Sequence, residues 1–146
     1  MICPRCQEIL FFTAKGEISF SHCLSCFGLF LPPATVRSVT SSPERAKTVK
    51  LTLEESPAAA KLPLKYLKCP ECLQLMNRLN FGRTSGVLVN TCLDHGTWFD
   101  AGGLPRVLEF VAQGKLAEIM EEERRELEEE LKKLSDTEDG SSFLIF

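Results

Sequence analysis

Residues 90–103 read NTCLDHGTWFDAGG. Elsewhere the chain writes cysteine pairs as C-x-x-C three times, at Cys3/Cys6, Cys23/Cys26 and Cys69/Cys72. Here the fourth pair is Cys92-Leu-Asp-His95, with an imidazole where a thiolate was due. Histidine nitrogen and cysteine sulfur both fill corners of a tetrahedral zinc site, so the change exchanges one ligand for another rather than breaking the site. Seven cysteines alone would strand one thiol if they formed disulfides. Seven cysteines plus His95 make eight donors, enough for two four-coordinate ions.

Working outward, the chain repeats itself. CPRC (3–6) aligns with CPEC (69–72), and Cys23-Leu-Ser-Cys26 with Cys92-Leu-Asp-His95. The two pairs are separated by 16 residues in the first copy and 19 in the second. A glycine and aromatics follow each second pair (Gly28 and Phe30; Gly96, Trp98 and Phe99), and then a helix-start signal, Pro32-Pro33 or Asp100-Ala-Gly-Gly-Leu-Pro105. Between the pairs the pattern predicts a β-hairpin each time: 9–12 with 18–21, and 76–81 with 87–90. Units of this size bury too little apolar surface to hold themselves together, and metal is the usual remedy.

The fold class expected is therefore a small metal-stabilised α+β protein. It consists of two tandem zinc ribbons, each a β-hairpin plus zinc knuckles, followed by a charged α-helix. The boundaries are 1–40 for the first ribbon, 41–64 for a linker, 65–111 for the second ribbon, and 112–146 for a charged helix with an apolar-ended tail. Within the linker, 38–47 reads as loop, 48–53 alternates like a strand, and Ser56-Pro57 opens a short helix. From about Pro105 to Leu134 the apolar spacing is helical. Leu104, Val107, Leu108 and Val111 are expected against the second ribbon, and Gly114 is a weak point. Glu121/Arg125, Glu128/Lys132 and Glu129/Lys133 are spaced for i,i+4 ion pairs.

The ligands expected for two Zn2+ ions per chain are Cys3, Cys6, Cys23 and Cys26 at one site, and Cys69, Cys72, Cys92 and His95 at the other. Buried free thiols and a thioredoxin-type redox pair are the alternatives for the cysteines; the latter needs a βαβ context that this spacing lacks. His22 reads as a surface histidine on a strand. Trp98 and Phe99 read as packing over the small core, with a stacking platform as the alternative. Four protein ligands at each site leave no open position for zinc catalysis, so the chain is read as a non-enzyme.

The formal charge is -3 over 146 residues, with -6 of it in 112–146 offset by +2 in 34–64 and +1 in 65–111. No basic stripe is present, which makes nucleic acid the less favoured partner. No apolar run reaches the length of a membrane span, and no secretory leader precedes the cysteines, so a cytoplasmic setting is expected. A protein partner is expected through the 112–146 helix and the closing Phe143-Leu-Ile-Phe146, either as a docking peptide or folded back onto the ribbons. The same helix is also spaced to pair with a second copy.

CPECLQLMNRLNF followed by GVLVNTCLDHGTWFDAGGLPRVL resembles the zinc-ribbon family named for transcription factor IIB. The shared features are Cys69, Cys72, Cys92, His95, Gly96, Trp98 and Asp100. Residues 3–39 look like a degenerate second copy, with Leu29/Phe30 near the Trp place and Leu31 at that of the Asp. The family's capping Glu is replaced by Gly103, so the following helix is expected to begin later. The resemblance implies a zinc-ribbon fold and metal binding. The function expected is a zinc-binding interaction or scaffolding module, with a nucleic-acid-binding transcriptional regulator and a thiol redox switch as alternatives.

Overall fold

A computed structural model of the chain describes residues 1–15, 18–52, 63 and 65–138. Among them run six strands and four helices: β1 (Leu10–Lys15), β2 (Ile18–Cys23), β3 (Leu29–Leu31), α1 (Pro33–Val39), α2 (Pro43–Thr52), β4 (Asn77–Asn80), β5 (Leu88–Cys92), β6 (Gly96–Phe99), α3 (Gly103–Ala112) and α4 (Lys115–Glu138). The strands form one antiparallel sheet in the order β1-β2-β3-β6-β5-β4. The two hairpins read from the sequence are β1/β2 and β4/β5. Each gains a third strand after its second ligand pair, and these third strands join the halves: Leu29 pairs with Phe99, Phe30 with Trp98 and Leu31 with Thr97.

Two glycines make this join sterically feasible. A Cβ on Gly28 would stand 2.0 Å from the Trp98 ring, and one on Gly96 would stand 2.2 Å from the Leu31 carbonyl oxygen. Real Cβ atoms do not come that close. Counting two residues on from each glycine reaches Phe30 in one half and Trp98 in the other. Phe30 thus stands at the Trp place, and Pro32, rather than Leu31, at the place of Asp100.

Alternation along the strands gives the sheet two buried faces. One carries Ile18, Phe20, Leu31, Val87, Val89 and Phe99, covered by Val39, Ala46, Val49, Leu104, Val107, Leu108 and Val111 from the helices. The face of α3 expected against the second ribbon therefore packs over strands of both halves. The other face carries Phe30 and Trp98 with Leu10, Leu67, Met76, Cys3, Cys23 and Cys69, and the remaining cysteines pack at its margin. Trp98 and Phe99 are neighbours in sequence but enter opposite cores, each essentially fully buried, so neither offers a free stacking surface.

Of the segment read as loop and then strand, Pro43–Thr52 is helix α2. It buries Ala46 and Val49, three residues apart, while Leu51 is exposed, which is helical rather than alternating placement. Ser41-Ser42-Pro43, within the stretch read as loop, is the start of this helix. The Ser42 hydroxyl accepts the Arg45 N–H at 3.1 Å and Pro43 takes the first helical position. The short helix expected at Ser56-Pro57 lies outside the described residues.

Helix α3 begins at Gly103, not later. Pro105 falls in its first turn, where a missing N–H leaves no intrahelical bond unmade. The capping residue is Gly102, left-handed at φ 76° and without a side-chain cap. The helical run then breaks at Gly114, whose φ of 80° ends α3 in the manner of a C-terminal glycine and starts α4. On α4 Arg124 pairs with Glu121 and Glu128, and Arg83 reaches Glu123 from the β4–β5 loop at 2.8 Å.

Candidate metal centres

Each half builds a four-ligand cluster from the same four local pieces. Cys3 and Cys6 lie in a turn closed by the Ile2–Ile9 bridge, and Cys69 and Cys72 in one closed by the Lys68–Leu75 bridge. Cys23 ends β2 and Cys92 ends β5. Cys26 lies in the turn to β3, and His95 in the turn to β6. The hairpins return the chain so that the turns meet. The donor atoms of Cys3, Cys6, Cys23 and Cys26 all lie within 4.8 Å of one another, and so do those of Cys69, Cys72, Cys92 and His95. All eight residues singled out from the sequence are thus gathered into two sets of four. His22 stands apart from both, with Nε2 2.8 Å from the Thr13 hydroxyl.

Three of the four knuckles share one backbone. Cys3 N–H donates to Glu8 O (2.6 Å), Cys23 N–H to Gly28 O (3.0 Å) and Cys69 N–H to Gln74 O (2.8 Å). The residue after the second cysteine is left-handed each time: Gln7 at φ 66°, Phe27 at 62° and Leu73 at 64°. Non-glycine residues there are strained and persist only where the surroundings fix them. The turn aims backbone N–H groups at the first sulfur. Arg5 and Cys6 donate to Cys3 Sγ (both 3.4 Å), Ser25 and Cys26 to Cys23 Sγ (3.4 and 3.5 Å), and Glu71 to Cys69 Sγ (3.4 Å).

The histidine knuckle is built differently. Cys92 pairs directly with Gly96, so Leu93-Asp94-His95 is a three-residue hairpin turn, one residue shorter than the Leu24–Phe27 turn between Cys23 and Gly28. A longer ligand side chain on a shorter turn still delivers its donor: His95 Nδ1 stands 3.5 Å from Cys92 Sγ.

The distances test whether these residues fit a metal. Sulfurs at 2.3 Å from a tetrahedral zinc lie about 3.8 Å apart, and a sulfur and a nitrogen at 2.0–2.1 Å lie about 3.6 Å apart. The separations found are 3.6 Å for Cys3–Cys26, 3.2 Å for Cys6–Cys23, 3.9 Å for Cys72–Cys92 and 3.5 Å for Cys92–His95. A disulfide would need about 2.05 Å. All seven cysteines are free thiols, and the arrangement can hold a metal ion in each cluster.

Burial pushes the Cys3 and Cys69 thiols up to about 11, against partial opposition from the N–H groups at their sulfurs. Burial pushes Cys26 up as well. For Cys6 and Cys92 burial also raises the value, but hydrogen bonds outweigh it and leave each at about 7. These come from the Glu8 backbone and the neighbouring thiols for Cys6, and from Asp94 and His95 for Cys92. Each cluster thus contains a buried thiol that holds its proton, Cys3 or Cys69, and one that sheds its own near neutrality, Cys6 or Cys92.

The clusters are linked by a contact that spacing could not show. Arg5, inside the first knuckle, donates Nε to Asp100 Oδ1 (2.7 Å) and Nη2 to Asp100 Oδ2 (3.0 Å), and its Nη1 reaches Pro63 O (3.1 Å). Asp100 Oδ1 also accepts Trp98 Nε1–H at 3.0 Å. The Trp-x-Asp spacing was visible in the sequence, but nothing in it marked Arg5 as the partner.

Among the described residues, no helix is long and apolar enough to cross a membrane. No protein-family model, curated protein or solved structure matches the chain.

Proposed function

We propose that the chain is a tandem zinc ribbon of the type named for transcription factor IIB, holding two structural zinc ions and serving as a protein-interaction scaffold. The observation that carries the proposal is the convergence of eight donors into two sets of four at separations suited to tetrahedral zinc. Cys3, Cys6, Cys23 and Cys26 would hold one ion, and Cys69, Cys72, Cys92 and His95 the other. Zinc supplies a redox-inert cross-link here, with no open position for substrate. The chain's own residues do the rest. The knuckle N–H groups moderate thiolate charge, and Trp98 and Phe30 share one buried core with cysteines of both clusters. Arg5 and Asp100 tie the first knuckle to the second half. The absence of a basic stripe supports a protein partner over nucleic acid. Metal analysis of purified, unchelated protein tests the reading: two zinc ions per chain are expected, with loss of near-ultraviolet dichroism from Trp98 on chelation. One ion or none, or a fold indifferent to chelation, would overturn it.

A further inference from the structure

Helix α4 outruns the body it grows from. Its first turns are fixed: Leu116 packs against the helix-side core, and Glu123 pairs with Arg83. From Arg124 to Ser135 every residue is exposed. Starting at Met120, just before that free length, and continuing along it through Leu127, Leu131 and Leu134 lies an apolar stripe, each residue between 56% and 65% exposed. At 100° per residue these four fall within one narrow arc of the helix and span about 21 Å. Their spacing is the heptad spacing of a coiled-coil seam, with Ala117, Arg124 and Leu131 at one core position and Met120, Leu127 and Leu134 at the other.

The charges beside the seam choose the occupant. Glu121 and Glu128 border one side, Glu123 and Glu130 the other. A second copy of this helix meets repulsion in either orientation. In a parallel pair Arg124 faces Arg124 in the core layer, and Glu123 faces Glu128 of the second copy. In an antiparallel pair acidic borders face acidic borders. In the free chain Arg124 is held by Glu121 and Glu128 of its own helix, a partial neutralisation that a partner can replace. We propose that α4 is the acidic half of a heterologous coiled coil. Its partner is a helix of another protein, with leucine-type residues in the seam, lysine or arginine along both borders and an acidic residue in the layer of Arg124. This rests on the reading of the chain as an interaction module and names the chemistry of what it binds.

The test uses the full zinc-loaded chain and two labelled three-heptad peptides with identical leucine seams. One carries lysine along its borders and glutamate opposite Arg124; the other carries glutamate along its borders. Sedimentation of the chain alone should show a monomer. Fluorescence anisotropy should show the basic peptide bound at least about tenfold more tightly than the acidic one, with salt narrowing the gap. The double variant Leu127→Asp with Leu131→Asp should lose the basic peptide while keeping its helicity and its zinc. A stable dimer of the chain alone that the same variant dissolves would overturn the proposal. So would equal affinity for the two peptides, or no binding of either. Zinc content of the same sample reads the earlier proposal separately: a chain short of zinc that still selects the basic peptide would sink the metal assignment and support this one.

Discussion

Arg5 and Asp100 lie 95 residues apart in sequence and meet as a two-pronged ion pair, with Arg5 only 9% and Asp100 26% exposed. The arginine sits between two cysteines of the first cluster and the aspartate directly follows the strand that leaves the second. Because Asp100 also holds Trp98, the pair ties both clusters to one core. Asp100→Asn should lower the stability of the zinc-loaded protein by roughly 2–3 kcal/mol, because it leaves a mostly buried guanidinium without its countercharge. Chemical denaturation of Asp100→Asn, Arg5→Met and the double variant checks this. A coupling of roughly 2 kcal/mol is expected between residues in such contact, and simple additivity would show that the pair contributes nothing of its own.

Histidine-to-cysteine exchange at position 95 should keep two metal ions, because the hairpin turn still aims a donor at Cys92. His95→Ala should retain the Cys3/Cys6/Cys23/Cys26 ion and lose or weaken the other, since three thiolates leave an open corner. Native mass spectrometry of both variants reads the count directly. Two tightly held ions in His95→Ala would remove the imidazole from the ligand set.

Gly28→Ala should cost roughly 1–3 kcal/mol or more through overpacking, because its methyl group would meet the Trp98 ring and little there can yield. Gly96→Ala adds backbone strain to a clash with the Leu31 carbonyl, at φ 142°. Thermal melts of the two variants, with Trp98 fluorescence as the local report, check both. An unchanged melting temperature for Gly28→Ala would contradict the close packing between β3 and β6.

Metal loading should release protons. In the metal-free fold Cys3 and Cys69 are held by burial at about 11, so both carry protons at neutral pH and must surrender them to bind as thiolates. Apparent zinc affinity should therefore rise with pH and fall in acid. Hydrogen bonding to Cys92 raises His95, so acid protonates this imidazole more readily than a free one, and that works against metal binding in the same direction. The buried thiols Cys3 and Cys69 give the metal-free fold a contribution with the opposite dependence. Thiol values raised from 9.0 contribute stability present below that value and lost as pH climbs through about 11. Zinc titration in weak buffers with a pH indicator checks the first, and a loading step that releases no protons would contradict it.

The two donor clusters and the two hairpins were legible because each depends on local spacing: C-x-x-C or C-x-x-H closes a turn, and period-two apolar runs flank glycine-containing loops. The join between halves was not legible. β3 and β6 are only three and four residues long, too short to show a period, and their pairing depends on contacts about 70 residues apart. Helix α2 was misread because Val49 and Leu51 alternate while the decisive residue, Ala46, is small and weakly hydrophobic. Its start was available, since Ser42-Pro43 is a helix N-terminus written out in sequence. The apolar end at Phe143–Phe146 lies outside the described residues.

X-ray absorption at the zinc edge of the loaded protein tests the central claim most directly. Seven sulfurs and one nitrogen shared between two ions predict an averaged shell dominated by sulfur near 2.3 Å, with a minor nitrogen component near 2.0–2.1 Å carrying imidazole scattering. A shell with oxygen in a sulfur's place, or sulfur without any imidazole signature, would contradict the assignment of Cys92 and His95 to one site and of four cysteines to the other.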